Sequence, residues 1–369
     1  MAEKGRAAIY RGLGQPMEIV EYPVPDAEPG AILVKVSVAN ICGSDLHMWR
    51  GDMNLGAIGA PLPTILGHEM TGRIAKLGEG VATDSAGQPL AVGDRVVYPY
   101  FNSCGRCPAC LKGNHASCPL NLMYMYTSEA PPHFVGAYAD YYYLRASYPV
   151  FKVPDDLSDK MVASVNCALS EVIYGLEKAN LKFGETVVIQ GAGGLGINAA
   201  AVAREMGANK IIVIDGITQR LELAKAFGAD DLIDMREFKT PQERVQRVKD
   251  LTGGWGADVV AELVGSPRAI PEGLDMLCNG GRYLEMGNIS PFHGTFEADP
   301  AFLVMGSKSI FCVAMYGRDT IKKALDFLSR TKAKYPFEKI ISRTYRLEEI
   351  NKAFEEQDKG LVSRAAIVM

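Results

Sequence analysis

From about Ser158 onward the chain alternates short apolar runs with helical stretches, and this alternation restricts the fold more than any other feature. Val187-Val188-Ile189-Gln190 reads as a buried strand and Ile197 to Gly207 as an Ala-rich helix. Ile211-Ile212-Val213-Ile214 then reads as a second strand and Gln219 to Gly228 as a second helix. Asp258-Val259-Val260-Ala261 and Gly281-Arg282-Tyr283-Leu284-Glu285 continue the series, which Ser309-Ile310-Phe311-Cys312-Val313 closes. Strands separated by helices of about ten to fifteen residues imply βαβ units and a parallel sheet. The earlier part of the chain has a different texture. Stretches such as Gly30-Ala31-Ile32-Leu33-Val34-Lys35-Val36 and Gly93-Asp94-Arg95-Val96-Val97-Tyr98, bounded by Gly, Pro and Asp, predict a β-rich region. After Gly317 come two helical stretches and a strand-like Ala365-Ala366-Ile367-Val368. With 369 residues the chain is long for one core, so two domains are expected.

Gly191-Ala192-Gly193-Gly194-Leu195-Gly196 lies between the first of these strands and its helix. G-x-G-x-x-G in that context is a dinucleotide fingerprint, because glycines let the backbone turn tightly and approach a pyrophosphate at a helix N-terminus. Asp215 ends the next strand, where a carboxylate accepts hydrogen bonds from ribose hydroxyls and repels a 2′-phosphate. The first basic residue after it is Arg220, a further candidate on the coenzyme, so NAD is favoured over NADP. A structural glycine turn with a strand-capping Asp is the bland reading of the same residues.

Cys104, Cys107, Cys110 and Cys118 form C-x2-C-x2-C-x7-C. Four thiolates so close match a closed tetrahedral zinc site with no position left for substrate. Cys42, His68 and Cys167 are scattered, and soft thiolates plus one imidazole suit a second zinc with an open fourth position. Cys278 and Cys312 are expected to be core residues. The absence of a secretory h-region or a long apolar run places the chain in the cytosol, where clustered cysteines hold metal more readily than they form disulfides. A formal net charge of −4 gives no basic field for nucleic acid or an anionic membrane.

Cys42-Gly43-Ser44-Asp45-Leu46-His47, Gly67-His68-Glu69, the four-cysteine lobe, Cys167 and the glycine fingerprint together resemble the zinc-dependent medium-chain dehydrogenase/reductase family, over essentially the whole chain. The resemblance implies an α/β protein in which a GroES-like catalytic domain (1–160 and 317–369) is interrupted by a Rossmann domain (161–316), with the active cleft between them. It implies two zinc ions per chain and NAD. Zinc at Cys42, His68 and Cys167 would act as a Lewis acid on the alcohol oxygen, and Ser44 would pass the alcohol proton by way of the ribose hydroxyls to His47. Glu69 would enter the metal sphere transiently or replace a ligand, Asp45 would orient His68, and Arg364 would bind the pyrophosphate. Gly43-Ser44-Asp45 resembles the secondary-alcohol, polyol and threonine branches. Glu171 stands where relatives carry a small residue.

The expected reaction is hydride transfer between a secondary or cyclic alcohol and NAD, in a homodimer or homotetramer. An NADP-dependent ketone reductase on the same zinc scaffold and a non-catalytic dinucleotide-binding protein are the alternatives. The aromatic and Met-rich stretch from Asn121 to Tyr138, with Met123, Tyr124, Met125, Tyr126, Phe134 and Tyr138, reads either as the wall of an apolar pocket or as a loop at a subunit contact; Trp49 is a further candidate for the pocket.

Overall fold

The computed structural model describes residues 3–120, 126–291 and 294–369. In chain order the strands begin with β1 (Lys4–Tyr10), β2 (Glu18–Pro23), β3 (Ile32–Asn40), β4 (Thr64–Ile65), β5 (Glu69–Leu77), β6 (Arg95–Val97), β7 (Tyr141–Leu144) and β8 (Phe151–Lys152). There follow β9 (Thr186–Gln190), β10 (Lys210–Asp215), β11 (Asp231–Asp234), β12 (Ala257–Glu262), β13 (Leu277–Glu285) and β14 (Ser309–Cys312). The last two are β15 (Arg343–Arg346) and β16 (Ala365–Val368). The chain divides into two compact units, one of residues 1–170, 317–333 and 337–369, the other of 171–316 and 334–336. The boundary expected at 160/161 thus falls ten residues later, at 170/171, because 161–170 packs with the first unit.

In the first unit the order β15-β16-β3-β5-β6-β8 makes one sheet, with β7 also paired to β3, and β2-β1-β4 makes a small second one. The last strand, β16, enters beside β3 in antiparallel register, Ala366 opposite Asn40. The C-terminal segment therefore completes this unit's sheet rather than trailing from it.

The second unit is a six-stranded parallel sheet in the order β11-β10-β9-β12-β13-β14. This is the doubly wound order of dinucleotide-binding folds, with the reversal of direction between β9 and β12. Val188, Ile212, Ile214, Ile233 and Val260 from the sheet bury themselves with Val248, Ile270 and Leu274 from helices. Buried strands of this kind need continuous apolar runs, which is why they were readable in the sequence. The helix Pro241–Leu251, by contrast, announces itself through a Thr240/Glu243 capping box with Pro at its first turn.

At the C-terminal edge of this sheet, Glu262 and Glu285 sit side by side in paired register at the ends of β12 and β13. Glu262 Oε1 accepts from the backbone amides of Val264 and Gly265 at 2.9 and 2.8 Å, and the Asn288 side-chain amide donates to both carboxyl groups. Burial, then the neighbouring Glu285, pushes Glu262 up to about 8. Folded protein therefore holds a proton there that the unfolded chain releases at lower pH, and the linked stability is lost as pH rises towards that value. The unfolding midpoint is expected to fall between about pH 5 and 8 in the native protein. Glu262→Gln should flatten that slope; calorimetry across the range checks it.

Candidate zinc centres and dinucleotide site

The first centre is assembled by three elements of the first unit. Cys42 is the N-cap of the helix Gly43–Arg50, in a capping box closed by Asp45. His68 directly precedes β5, and Glu69 begins it. Cys167 lies in a single π-helical turn, Val165–Leu169. Asn166 ties that turn to β5, its amide nitrogen donating to Met70 O at 3.2 Å and its oxygen accepting from Met70 N at 3.3 Å. One ligand atom each from Cys42, His68, Glu69 and Cys167 then falls within 4.8 Å of the others, all four residues buried.

Asp45 holds this geometry. It is fully buried and its carboxylate meets four groups: Cys42 N at 2.9 Å, Gly67 N at 3.2 Å, His68 Nδ1 at 3.2 Å and the Tyr138 hydroxyl at 2.8 Å. Because the carboxylate accepts from Nδ1–H, the lone pair of His68 is on Nε2, and the Ser44 hydroxyl donates to that nitrogen at 3.2 Å. The Cys42 thiol is held well below its usual range, first by hydrogen bonding with Cys167 and also by His68 and Arg364, against the opposing effect of burial.

Glu69 Oε2 accepts from Asn40 Nδ2 at 3.1 Å and is ion-paired with Arg364 Nη2. Burial raises the Glu69 carboxyl above its normal range even so. Its Oε1 has no hydrogen-bond partner among the described residues. With both thiols ionised, the two sulfurs, a carboxylate and one guanidinium would carry two net negative charges in a closed space, together with an orphaned oxygen and an imidazole lone pair. That donor set fits a divalent, borderline-soft cation such as zinc. Arg364, expected on a pyrophosphate, is buried here with its charge opposite Glu69, 295 residues away in sequence.

Cys104, Cys107, Cys110 and Cys118 also converge within 4.8 Å. Cys118 Sγ lies 3.6 Å from Cys104 Sγ and 3.8 Å from Cys107 Sγ. A tetrahedron with Zn–S bonds of ~2.3 Å has edges of about 3.8 Å, so the cage has the size of a closed zinc site. Backbone amides point at the sulfurs, Cys107 N at Cys104 Sγ (3.3 Å) and Cys110 N at Cys107 Sγ (3.5 Å). Cys104 is drawn down to about 6, chiefly by the Arg106 amide, whereas burial pushes Cys110 up to about 11. Four such thiols ionise together only around a cation.

In the second unit, Gly191 has φ +94°, and a Cβ on Gly196 would lie 1.8 Å from Gly191 O. Both positions require glycine on this backbone. A Cβ on Gly193, the N-cap of the helix Gly194–Glu205, meets nothing within 4 Å. That leaves open space in front of the helix amides where a phosphate fits. Asp215 is buried, accepting from Ala192 N at 2.7 Å and Ile217 N at 2.8 Å. The strand-capping reading of this residue is thus realised, with lone pairs remaining on both oxygens for a ribose. Leu195 lies in the first turn of the helix, and Arg220 in the next helix is half-buried.

Other expectations sort differently. Phe134 and Tyr138 are fully buried core residues, not pocket walls, and Met123, Tyr124 and Met125 lie outside the described residues. Trp49 packs on Phe354 at 5.9 Å, and the Arg145 guanidinium sits over the Tyr126 ring. Cys312 is exposed on the edge strand β14 instead of in the core, and Cys278 is half-buried beside Asp258. Sequence reasoning missed Tyr100, whose ring meets that of His68 edge-on at 4.9 Å, with Phe101 against it at 5.1 Å. Its only signal was its place just before the cysteine lobe.

A β-rich unit with two clusters of metal-binding side chains and, in the same chain, a doubly wound parallel sheet with a glycine-rich turn at a helix N-terminus define a metal-dependent dehydrogenase architecture. Residues 28–155 match the alcohol dehydrogenase GroES-like domain and 194–330 the zinc-binding dehydrogenase domain. The 5-exo-hydroxycamphor dehydrogenase of Pseudomonas putida is 34% identical over 352 residues, covering 95% of each chain. The sorbitol dehydrogenase of Bacillus subtilis (strain 168) is 32% identical over 350 residues, 95% of this chain and 92% of that one. The solved alcohol dehydrogenase of Thermotoga maritima superposes with a TM-score of 0.91 over the whole of both chains at 30% identity. The chain belongs to the zinc-dependent medium-chain alcohol dehydrogenase family, and its chemistry is zinc-dependent oxidoreduction of small-molecule alcohols.

Asp45→Asn should weaken metal retention by about 10–100-fold, as loss of a carboxylate that orients a ligating histidine does elsewhere. All four groups around Asp45 donate to it, so an amide NH2 in its place would face a donor. Zinc content after dialysis against a graded chelator series measures the effect. Retention equal to the native protein would dissociate Asp45 from the centre.

Proposed function

We propose that the enzyme oxidises a secondary or cyclic alcohol to its ketone with NAD, using two zinc ions per chain, one catalytic and one structural. The observation that carries the catalytic assignment is the convergence of Cys42, His68 and Cys167 with a serine hydroxyl 3.2 Å from the histidine's lone-pair nitrogen. When bound, zinc supplies a Lewis acid for the alcohol oxygen and the dinucleotide supplies the hydride acceptor. Ser44 takes the alcohol proton, and His47, whose side chain is 16% exposed, delivers it to water. Glu69 is tethered by Asn40 and by Arg364, which meets its charge, and its Oε1 has no hydrogen-bond partner among the described residues. Tyr100 packs edge-on against His68 with Phe101 behind it, so the surroundings of the cluster are aromatic, in keeping with a hydrocarbon substrate frame.

The closed four-thiolate cage of Cys104, Cys107, Cys110 and Cys118 takes the structural ion. The choice of NAD rests on Asp215, a buried carboxylate at the end of β10 that would face a 2′-phosphate unfavourably. A homo-oligomer is supported by β14, an outermost strand of its sheet, and by the exposed Phe302, Val304 and Met305 that precede it. No helix among the described residues is long and apolar enough to cross a membrane.

Metal analysis should return two zinc ions per chain. Cys42→Ala should keep one, bind NAD and lose turnover. Cys107→Ser should also keep one but lower the unfolding temperature more than it lowers intrinsic rate, because a closed site contributes folding free energy directly. One ion in the native protein would break the two-site assignment. A coenzyme-reduction screen over primary, secondary, cyclic and polyol alcohols tests the substrate class.

For the coenzyme, Asp215→Ala should raise the KM for NAD by about 10-fold or more, the loss expected for hydrogen bonds to a charged acceptor of ~1.5–3 kcal/mol. It should also relax discrimination against NADP. A native enzyme already faster with NADP would make it the alternative ketone reductase.

A further inference from the structure

His47 has a charged neighbour that the relay as described leaves unused. The helix Gly43–Arg50 ends at Gly51, in the left-handed region at φ +91°, with the Gly51 amide bonded to His47 O. The turn brings Asp52 back over the last turn, and its Oδ2 lies 2.9 Å from His47 Nδ1. Arg50 Nε meets the same oxygen at 3.2 Å, while Arg50 Nη1 holds Asp358 Oδ1 at 2.8 Å. Asp358 closes the helix Ile350–Asp358, and the preceding Gln357 donates to Ile41 O at 2.9 Å, one residue before Cys42. The carboxylate is thus fixed from two sides on the backbone that carries Cys42 and Ser44. Asp52 is 27% exposed and His47 16%.

We propose that Asp52 is a positioning residue that sets the tautomer of His47. A carboxylate at Nδ1 accepts only from Nδ1–H, since the other tautomer would oppose two lone pairs. Neutral His47 therefore carries its lone pair on Nε2, the nitrogen left to receive a proton. In the oxidation, one proton leaves the alcohol hydroxyl by way of Ser44 and is taken up at His47 Nε2. The imidazolium so formed lies against the Asp52 carboxylate and returns the proton to water. Arg50 and Asp358 keep the carboxylate in register. As a partly exposed ion pair, the contact adds little stability, so its value lies in orientation. The proposal rests on the Ser44–His47 relay.

The test uses zinc-loaded protein and two independent readouts. Long-range 1H–15N spectra of the coenzyme-free enzyme report the tautomer of neutral His47, its signals identified by their loss in His47→Gln. The native protein should show the Nδ1–H form. Asp52→Asn, which can present its amide NH2 to Nδ1, should show a mixture or the Nε2–H form, and Asp52→Glu should restore the native pattern at least in part. The kcat for alcohol oxidation should fall about 10-fold in Asp52→Asn, less than the loss on removing an acid–base group outright, and recover partly with added imidazole. The KM for coenzyme and the unfolding midpoint should stay near the native values. An unchanged Nδ1–H tautomer in Asp52→Asn overturns the proposal, even where His47→Gln slows turnover and the relay survives. Conversely, a switched tautomer alongside a His47→Gln variant of native rate and pH profile upholds the positioning and removes the relay.

Discussion

A single buried carboxylate fixes the Cys42–His68–Cys167 cluster. Asp45 has no solvent to satisfy it and meets a helix-cap amide, a loop amide, an imidazole N–H and a phenol. Those groups belong to three pieces of chain, the Cys42 cap, the Gly67-His68 turn and Tyr138. The Cys42 amide sets the thiolate on the helix cap. Gly67 and His68 set the turn into β5, and Tyr138 closes the site from behind. A buried ionised group left short of donors costs several kcal/mol or more, so these pieces are held jointly or not at all. The same contacts decide which nitrogen of His68 is a donor and which a ligand, so folding and ligand readiness share one cause.

The second constraint is charge. Burying Glu69 without a partner would drive its carboxyl to the neutral form, and the direction of its shift shows that burial still outweighs Arg364. Arg364 is in turn held charged by Glu69 and the nearby thiols against its own desolvation. A buried pair of this kind is weak evidence for stability, since desolvation offsets much of the attraction. Its value here is positional. It keeps a carboxylate oxygen turned towards the ligand cluster while its other oxygen is committed to Asn40 and Arg364. The pairing joins β5 to the start of β16, so the C-terminal strand, which completes the sheet at Asn40, also completes the electrostatics of the site.

What could be read from the sequence was what is local. The strand, glycine turn and helix around Gly191–Gly196 lie within one βαβ unit, and the spacing of Cys104 to Cys118 is set by a single loop, so both patterns survive without tertiary knowledge. Asp45 was also legible, three residues after Cys42 and inside the same capping box. Arg364 was assigned to the pyrophosphate, and its pairing with Glu69 was hidden because nothing short-range links residues 295 apart. Composition misled in both directions. The aromatic residues Phe134 and Tyr138 read as candidate pocket walls but belong to the core, where Tyr138 finds the acceptor its hydroxyl needs. Cys312 read as core but lies exposed on the outermost strand β14, whose apolar residues alternate with the pleat. Tyr100 carried no periodic signal at all, since its role comes from a ring placed against His68 by the approach to the cysteine lobe.

The two cysteine clusters show why similar ligands serve different ends. In the lobe, four cysteine sulfurs from one loop converge at the spacing of a tetrahedral site, and backbone amides are aimed at sulfur. Arg318 braces the loop by donating to Ser103 O at 2.7 Å. A zinc ion there would have every ligand position filled by protein, with none left for a substrate. The Cys42–His68–Cys167 cluster draws its side chains from three separate elements and would offer an ion two thiolates instead of four. The fourth side chain within reach, Glu69, is restrained by an arginine. A zinc ion held by Cys42, His68 and Cys167 would keep a coordination position for an exogenous oxygen, and the Ser44 hydroxyl lies 3.2 Å from the His68 nitrogen that would ligate the ion. The proposed division into a reactive and an inert centre rests on this difference in how completely the protein would satisfy an ion's coordination.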